Sequence, residues 1–336
     1  MSLRQAGETT MAVEIKPAGR RGNIARMATL REAGLIAIIL ALCIAMSFAS
    51  PHFLTWGNLR AMMMSFSIEG IVVVGMTILL IVGGIDLSVG SVVCFSMVVS
   101  GALFLSGLDP WTASLIGIAA SALIGAVMGF FVTVVGLNHF ITSLAAMVIV
   151  RGMCLVVTKG TPLSLFTLPP EFKALGQGSF RDIPYVILIF VMVVAIFDFL
   201  LRRATAFRKV FYTGSNEKAA QYSGIKTSHV KFWVTVLCST LAGLAGVIYM
   251  ARFGAATPTF GAGMELNIIA AAVIGGASLN GGSGTIFGAI LGMALLSVVT
   301  SSLILLDVSV YWQDMIKGCI LLAAVSIDHF LHSRKF

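Results

Sequence analysis

Charged residues stand in or beside strongly apolar stretches at Asp86, Arg151, Glu265, Asp314 and Lys317. A charge at the centre of a membrane-spanning helix costs about 2.5–3.5 kcal/mol on insertion scales, so each needs a partner, a cavity or a boundary position. A carboxylate so placed can carry a proton, pair with a cation or accept hydrogen bonds from a hydroxyl-bearing solute. Asp86 sits in a glycine-rich break, and Arg151 is its candidate partner. Asp314 and Lys317 are three residues apart on one helical face, the spacing of a local ion pair. Glu265 stands at a helix start, where the helix dipole favours a negative charge. Catalytic signatures are absent: the chain has no GxxxxGK[ST] phosphate loop, no HExxH and no GxSxG. Its glycines lie between apolar helices without the βαβ context of a dinucleotide site. The five cysteines, Cys43, Cys94, Cys154, Cys238 and Cys319, fall in apolar stretches without ligand spacing, so they read as small buried residues and no metal site is expected.

Two glycine clusters resemble each other. Gly83-Gly84-Ile85-Asp86-Leu87-Ser88-Val89-Gly90-Ser91 and Gly275-Gly276-Ala277-Ser278-Leu279-Asn280-Gly281-Gly282-Ser283-Gly284 share an apolar approach, a glycine pair, small polar residues and a second glycine-rich turn before another helix. Glycine permits tight turns and close backbone approach, and a turn at membrane depth is tolerable only where protein or a water-filled cavity surrounds it. The clusters therefore read as duplicated helix breaks beside a solute path, with Gly83, Gly84, Gly90, Gly275, Gly276, Gly281 and Gly282 as the break residues. Close helix packing through small residues is the competing explanation.

The elements that must position these groups are set by composition. With 58% hydrophobic residues, 11% charged residues and a mean hydropathy of +1.00, the chain cannot be covered by a polar surface, and its solvent is a bilayer. About ten segments approach the roughly 20 apolar residues a crossing helix needs: 33–50, 62–83, 89–106, 112–136, 140–158, 184–201, 231–251, 265–278, 285–305 and 313–330. The eighth is short enough to be broken or re-entrant. The expected fold is thus all-α and polytopic, with a tail over 1–32 that is expected to be mobile, one transmembrane domain over 33–330 and a tail over 331–336. The first apolar run reads as a retained helix, because the polar stretch before it is long for a signal peptide.

The net charge of +8 does not indicate a nucleic-acid partner, since the basic residues cluster in the first 31 residues, in 202–231 and near Arg334 and Lys335. Such clusters mark cytoplasmic loops. Six crossings between the first two clusters and four more to the last place both termini in the cytoplasm. Segment 159–183, with Pro162, Pro169 and Pro170, reads as a non-helical external loop. In the basic loop 202–231, Ser215 or Asn216 can cap a short helix that Gly224 ends, forming a knob that a cytoplasmic subunit can grip.

Taken together, these motifs resemble the permease subunit of ABC importers for ribose, xylose, arabinose, galactose and related monosaccharides. The match is carried by Val74-Gly75-Met76-Thr77 leading into the first glycine cluster, by Phe140-Ile141-Thr142-Ser143-Leu144 with Arg151-Gly152, by the 214–224 stretch and by the second glycine cluster. The resemblance implies a permease dimer in the bacterial inner membrane, a separate ATPase pair that holds the ATP and magnesium, and a periplasmic sugar-binding protein. This chain would then hold no cofactor. The resemblance also implies that Gly214, Asn216, Glu217, Ala219, Ala220, Ser223 and Gly224 form the helix that couples to the ATPase. Asp86, Ser88, Ser91, Asn138, Thr142, Ser278, Asn280 and Ser283 would offer a sugar weak hydrogen bonds along the pathway. The chain departs from the pattern after Glu265-Leu266, where Asn267 replaces the acidic residue more often found there. An importer of amino acids, nucleosides or a sugar-derived signal is the neighbouring alternative. A secondary transporter that uses Asp86 and a membrane-bound enzyme are the alternatives from other classes.

Overall fold

Almost every described residue belongs to a helix or a short connection; the computed structural model describes residues 19–333. In chain order the helices are α1 (Gly19–Ala49), α2 (Trp56–Ile81), α3 (Val89–Leu105), α4 (Pro110–Phe130, continued by a π-helical turn, Phe131–Val135), α5 (His139–Thr158), α6 (Pro170–Gln177), α7 (Tyr185–Arg203), α8 (Thr205–Ser215), α9 (Glu217–Tyr222), α10 (Thr227–Phe253), α11 (Met264–Ile274), α12 (Ile286–Leu305) and α13 (Val310–Ser333). Among the described residues, seven helices are long and apolar enough to cross a membrane: α1 from Arg31, α2, α4 with its π turn, α5, α7, α10 and α12. Helices α3 and α11 are apolar but shorter.

Local sequence explains most of the helix ends. Asp109 caps α4 by accepting from Trp111 N and Thr112 N, with Pro110 at the first helical position, where its missing N–H is no loss. Asn138 caps α5 by accepting from Phe140 N, and Thr285 caps α12 by accepting from Gly288 N. Gly136 and Gly254 end α4's π turn and α10 in left-handed conformations that favour glycine.

Helices α2 and α10 form the centre. Of their apolar windows, 83% and 78% are buried, against 28% in α5, 22% in α7 and 11% in α1, which present their sides outward. From Ile68 to Ile81 only Glu69 of α2 is not fully buried, and the helix packs against α10, α12, α7 and α11. Small residues let the central helices approach. A Cβ placed on Gly125 of α4 would stand 2.8 Å from Ser239 Cβ of α10, and one on Gly243 of α10 would stand 2.7 Å from Ser121 Cβ of α4. Membrane helices without a hydrophobic drive toward one another associate through such contacts.

Several expectations change. The first helix begins at Gly19 rather than 33, so residues 19–32 are helical, with the apolar span starting at Arg31; the remaining expectations for the N-terminal tail, and those for Arg334 and Lys335, lie outside the described residues. Segment 159–183 is not wholly irregular, because Pro170 stands at the first helical position of α6 and favours that start. It also carries three of four two-residue strands. β1 (Leu163–Ser164) pairs antiparallel with β4 (Ala255–Ala256), and β2 (Ser179–Phe180) pairs with β3 (Ile183–Pro184). The hairpin turns at Arg181 and Asp182, both at positive φ, the combination that matches the twist of a two-residue hairpin. Helix α8 occupies what reads as plain connector, and α10 starts four residues before 231.

Candidate functional site

The two glycine clusters fold into the same device. Helix α2 ends with Gly83 at φ +88; Gly84 N donates to Leu79 O and Gly83 N to Leu80 O, each at 2.9 Å. Helix α11 ends with Gly276 at φ +109; Ala277 N donates to Ala272 O at 2.9 Å and Gly276 N to Val273 O at 3.0 Å. Both are complete Schellman caps, in which a left-handed residue lets two N–H groups reach back to the final carbonyls. The left-handed position is the first glycine of one pair and the second of the other, so the structural equivalence is shifted by one residue from the match of the glycine pairs. After each cap a side chain closes a turn on the backbone two residues on. Asp86 Oδ1 accepts from Ser88 N at 2.7 Å and from Ser88 Oγ at 2.6 Å, and Ser278 Oγ accepts from Asn280 N at 3.2 Å.

The two breaks meet each other and the end of α8. Gly282 N donates to Ile81 O at 2.8 Å, joining the second break to the last turn of α2. A Cβ on Gly281 would stand 2.9 Å from Gly214 O and 3.1 Å from Gly83 Cα. A Cβ on Gly214 would collide with Ile81 O and lie 2.7 Å from Gly282 N. Gly282 packs equally closely on Ser215, with a built Cβ 2.8 Å from Ser215 Cα. Three glycine-bearing segments far apart in sequence thus share one backbone junction at the end of the bundle that carries the basic 202–231 loop. Two other break glycines allow close backbone contacts of α11 with α12 and of α3 with the α10–α11 connection. A side chain on Gly275 would strike Gly288 O of α12, and one on Gly90 would strike Gly261 O.

Helix α9 projects from this junction. Asn216 Oδ1 accepts from Ala219 N at 3.0 Å, Ser223 Oγ donates to Ala219 O at 2.9 Å, and Gly224 ends the turn at φ +80. Ala220 is buried beneath it while Tyr222 is 92% exposed. Lys231 Nζ lies 2.7 Å from Glu217 Oε2, tying α9 to the base of α10.

The expected pathway residues divide. Asn138 lines a cavity of about 470 Å³ beside the junction, together with the break residues Gly83 and Gly84 and with His139 and Lys231. Asp86, Ser88, Ser91, Thr142 and Ser278 are buried. Thr142 Oγ1 donates to Asn138 O, and Ser278 N donates to Ser283 O at 3.0 Å, so these groups hold α5 and the second break in shape. Among the described residues, Asp86 Oδ2 and Ser91 Oγ are buried without a hydrogen-bond partner. Arg151 does not pair with Asp86. Its Nη1 donates to Pro258 O at 3.0 Å and Phe260 O at 2.6 Å, binding the segment between α10 and α11 to α5. The guanidinium serves backbone carbonyls that no helix or strand satisfies, which spacing alone does not reveal. Lys317 Nζ lies 3.6 Å from Asp314 Oδ1, as expected for residues three apart.

Some participants escaped the sequence reading. His139 Nδ1 is 2.7 Å from Ile85 O and its Nε2 is 3.0 Å from Thr235 Oγ1, so it staples the first break to α10. Arg31 Nη2 donates to Val273 O at 2.6 Å and Glu32 accepts from Thr285 Oγ1 at 3.2 Å, which docks α1 on the second break. Glu69 of α2 lines a second cavity, of about 300 Å³ and mixed lining, between α2, α11, α12 and α13. The criterion that picks out Arg151, a charge inside an apolar run, also applies to Glu69.

Residues 58–325 match the family described as branched-chain amino acid transport system / permease component. The chain is 36% identical over 290 residues to the ribose import permease protein RbsC of Bacillus subtilis, covering 86% of this chain and 90% of the relative. It is 32% identical over 321 residues to the L-arabinose ABC transporter permease protein AraH of Azospirillum brasilense, covering 96% and 94%. It is 34% identical over 296 residues to the D-allose transport system permease protein AlsC of Escherichia coli, covering 87% and 90%.

Proposed function

The chain belongs to the branched-chain amino acid transport system permease-component family, and from that premise we propose that it is the membrane-spanning subunit of an ABC importer for a monosaccharide. Full-length relatives named for ribose, arabinose and allose support a sugar over the amino acid of the family's description. The chain is a multi-pass membrane protein and a transport subunit. In this reading ATP and magnesium are held by a partner ATPase, a periplasmic binding protein delivers the sugar, and a second permease completes the pathway in the inner membrane.

The observation that carries the reading is the junction of Gly214 with the Gly83 and Gly281–Gly282 turns. Helix α9 is the part a cytoplasmic ATPase grips. A displacement of α9 passes through Gly214 to the last turn of α2 and to the break between α11 and α12. Because these contacts are backbone on backbone, no side-chain rotation absorbs the movement. Closely packed interfaces of this kind respond by switching between arrangements rather than deforming continuously, which is what alternation between outward and inward openings requires.

Ten crossings with both termini in the cytoplasm are supported by two independent juxtapositions. The junction puts the ends of α2, α8 and α11 at one end of the bundle. The β1–β4 pairing brings the segment after α5 to the segment after α10. Both agree with six crossings before the basic loop and four after it. Purification of the chain from native membranes in mild detergent, with mass spectrometry of what accompanies it, tests the reading. The expected companion is a protein with a Walker-type ATPase sequence; a chain recovered alone that still moves solute without ATP overturns it.

A further inference from the structure

The cavity between α2, α11, α12 and α13 contains unspent hydrogen-bonding capacity. Hydroxyls on apolar helices normally bond back to the carbonyl four residues earlier, and here Ser67, Thr77, Thr142, Thr158 and Ser302 do so. Ser297 and Thr300 line the cavity, yet among the described residues neither hydroxyl makes a hydrogen bond within the protein. The same holds for the Asn267 amide and the Glu69 carboxylate, which lie against the same volume. Lys317 and Arg252 are the cations whose fields reach Glu69, but Lys317 faces Asp314 at 3.6 Å and Arg252 Nη1 donates to Ser65 Oγ at 3.2 Å. A carboxylate held in an apolar bundle without donors is costly. A solute rich in hydroxyl donors relieves that cost.

The cavity's position fits a pathway. Every α2 residue that lines it falls between Asn58 and Glu69, and every α12 residue between Met293 and Ile304. These are the halves of the two helices away from the glycine junction. At about 1.5 Å per residue, Glu69 stands roughly 18 Å along α2 from Ile81, so it is the innermost α2 group of a cavity on the side opposite the basic loop. Phe66 adds an apolar face beside the polar groups, the mixed lining that orients a small ligand.

We infer that Glu69, Asn267, Ser297 and Thr300 form a weak binding site for the hydroxyl groups of a neutral sugar on its way through the membrane. This inference rests on the importer reading and names the site within it. Lys317 lines the same cavity, 3.6 Å from the exposed Asp314, and adds a donor beside the Glu69 acceptor.

The test uses the complete transporter, with its ATPase and binding protein, in liposomes. Uptake of the transported monosaccharide is compared with uptake of its monodeoxy analogues. A hydrogen bond to a charged group is worth enough to change a rate about tenfold. Glu69→Gln is expected to lower uptake of the parent sugar about tenfold and to narrow its advantage over one deoxy analogue, with the complex still assembling. Unchanged uptake, or a fall equal for the sugar and all analogues, overturns the inference. If Glu69→Gln prevents assembly, Ser297→Ala and Thr300→Val decide it: a narrowed preference supports the site, and an unaltered preference in both refutes it. A wild-type complex that moves no sugar with ATP would sink the importer reading instead, a distinguishable result.

Discussion

Gly214→Ala separates helix propensity from packing at the junction, because the two act with opposite signs. Gly214 lies in the last turn of α8 and has ordinary helical φ. Alanine is favoured over glycine there by up to about 1 kcal/mol. Against this, the added Cβ collides with Ile81 O and lies 2.7 Å from Gly282 N, the first in the last turn of α2 and the second hydrogen-bonded to it. Overpacking of this kind costs typically about 1–3 kcal/mol, and with backbone on both sides the upper part of that range applies. The net expectation is a loss of about 1–2 kcal/mol, a factor of roughly 5–30 in the relevant equilibrium. Gly152→Ala in α5 is the control, since a Cβ there has nothing within 4 Å and only the propensity gain remains. Thermal unfolding in detergent is expected to shift downward for Gly214→Ala and slightly upward for Gly152→Ala. ATP-driven uptake is expected to fall only in the first. If both substitutions shift stability upward, the junction is not close-packed and the reasoning fails.

Other changes probe separate supports. Arg151→Met removes the donors to Pro258 O and Phe260 O and is expected to destabilise by about 2–3 kcal/mol, as for lost charged hydrogen bonds, with Arg151→Lys recovering part; differential thermal stability checks it. Asn216→Ala removes the α9 cap, with an expected loss of about 1 kcal/mol and less ATPase recovered per permease on purification. Asp86→Asn retains an oxygen to accept from Ser88 N whereas Asp86→Ala leaves that N–H buried without its acceptor, so unfolding temperatures are expected to fall only for alanine; equal losses would contradict the turn-closing role.

Much of this was legible because bilayer insertion leaves strong traces in sequence. Each expected apolar segment contains a helix, and the glycine clusters fell where the breaks are. The capped helix from Asn216 to Gly224 was readable because a cap is a local interaction between residues three apart. Helices α6 and α8 were hidden because proline and charge read as breakers, although Pro170 is well suited to a first helical position. The Arg151 partner was misread because free carbonyls of an irregular segment have no sequence signature. Glu69 passed unnoticed inside the most buried membrane helix, and only the structure shows Ser297 and Thr300 failing to bond back to their own turns. Asn267, the departure from the family pattern after Glu265-Leu266, lines the same cavity.

The most direct measurement is uptake of labelled monosaccharide into liposomes that hold this chain with its ATPase, with the binding protein outside and ATP either enclosed or withheld. The account predicts accumulation only when ATP, ATPase and binding protein are all present. Uptake by this chain alone, without ATP, would contradict it and make the protein a channel or secondary transporter.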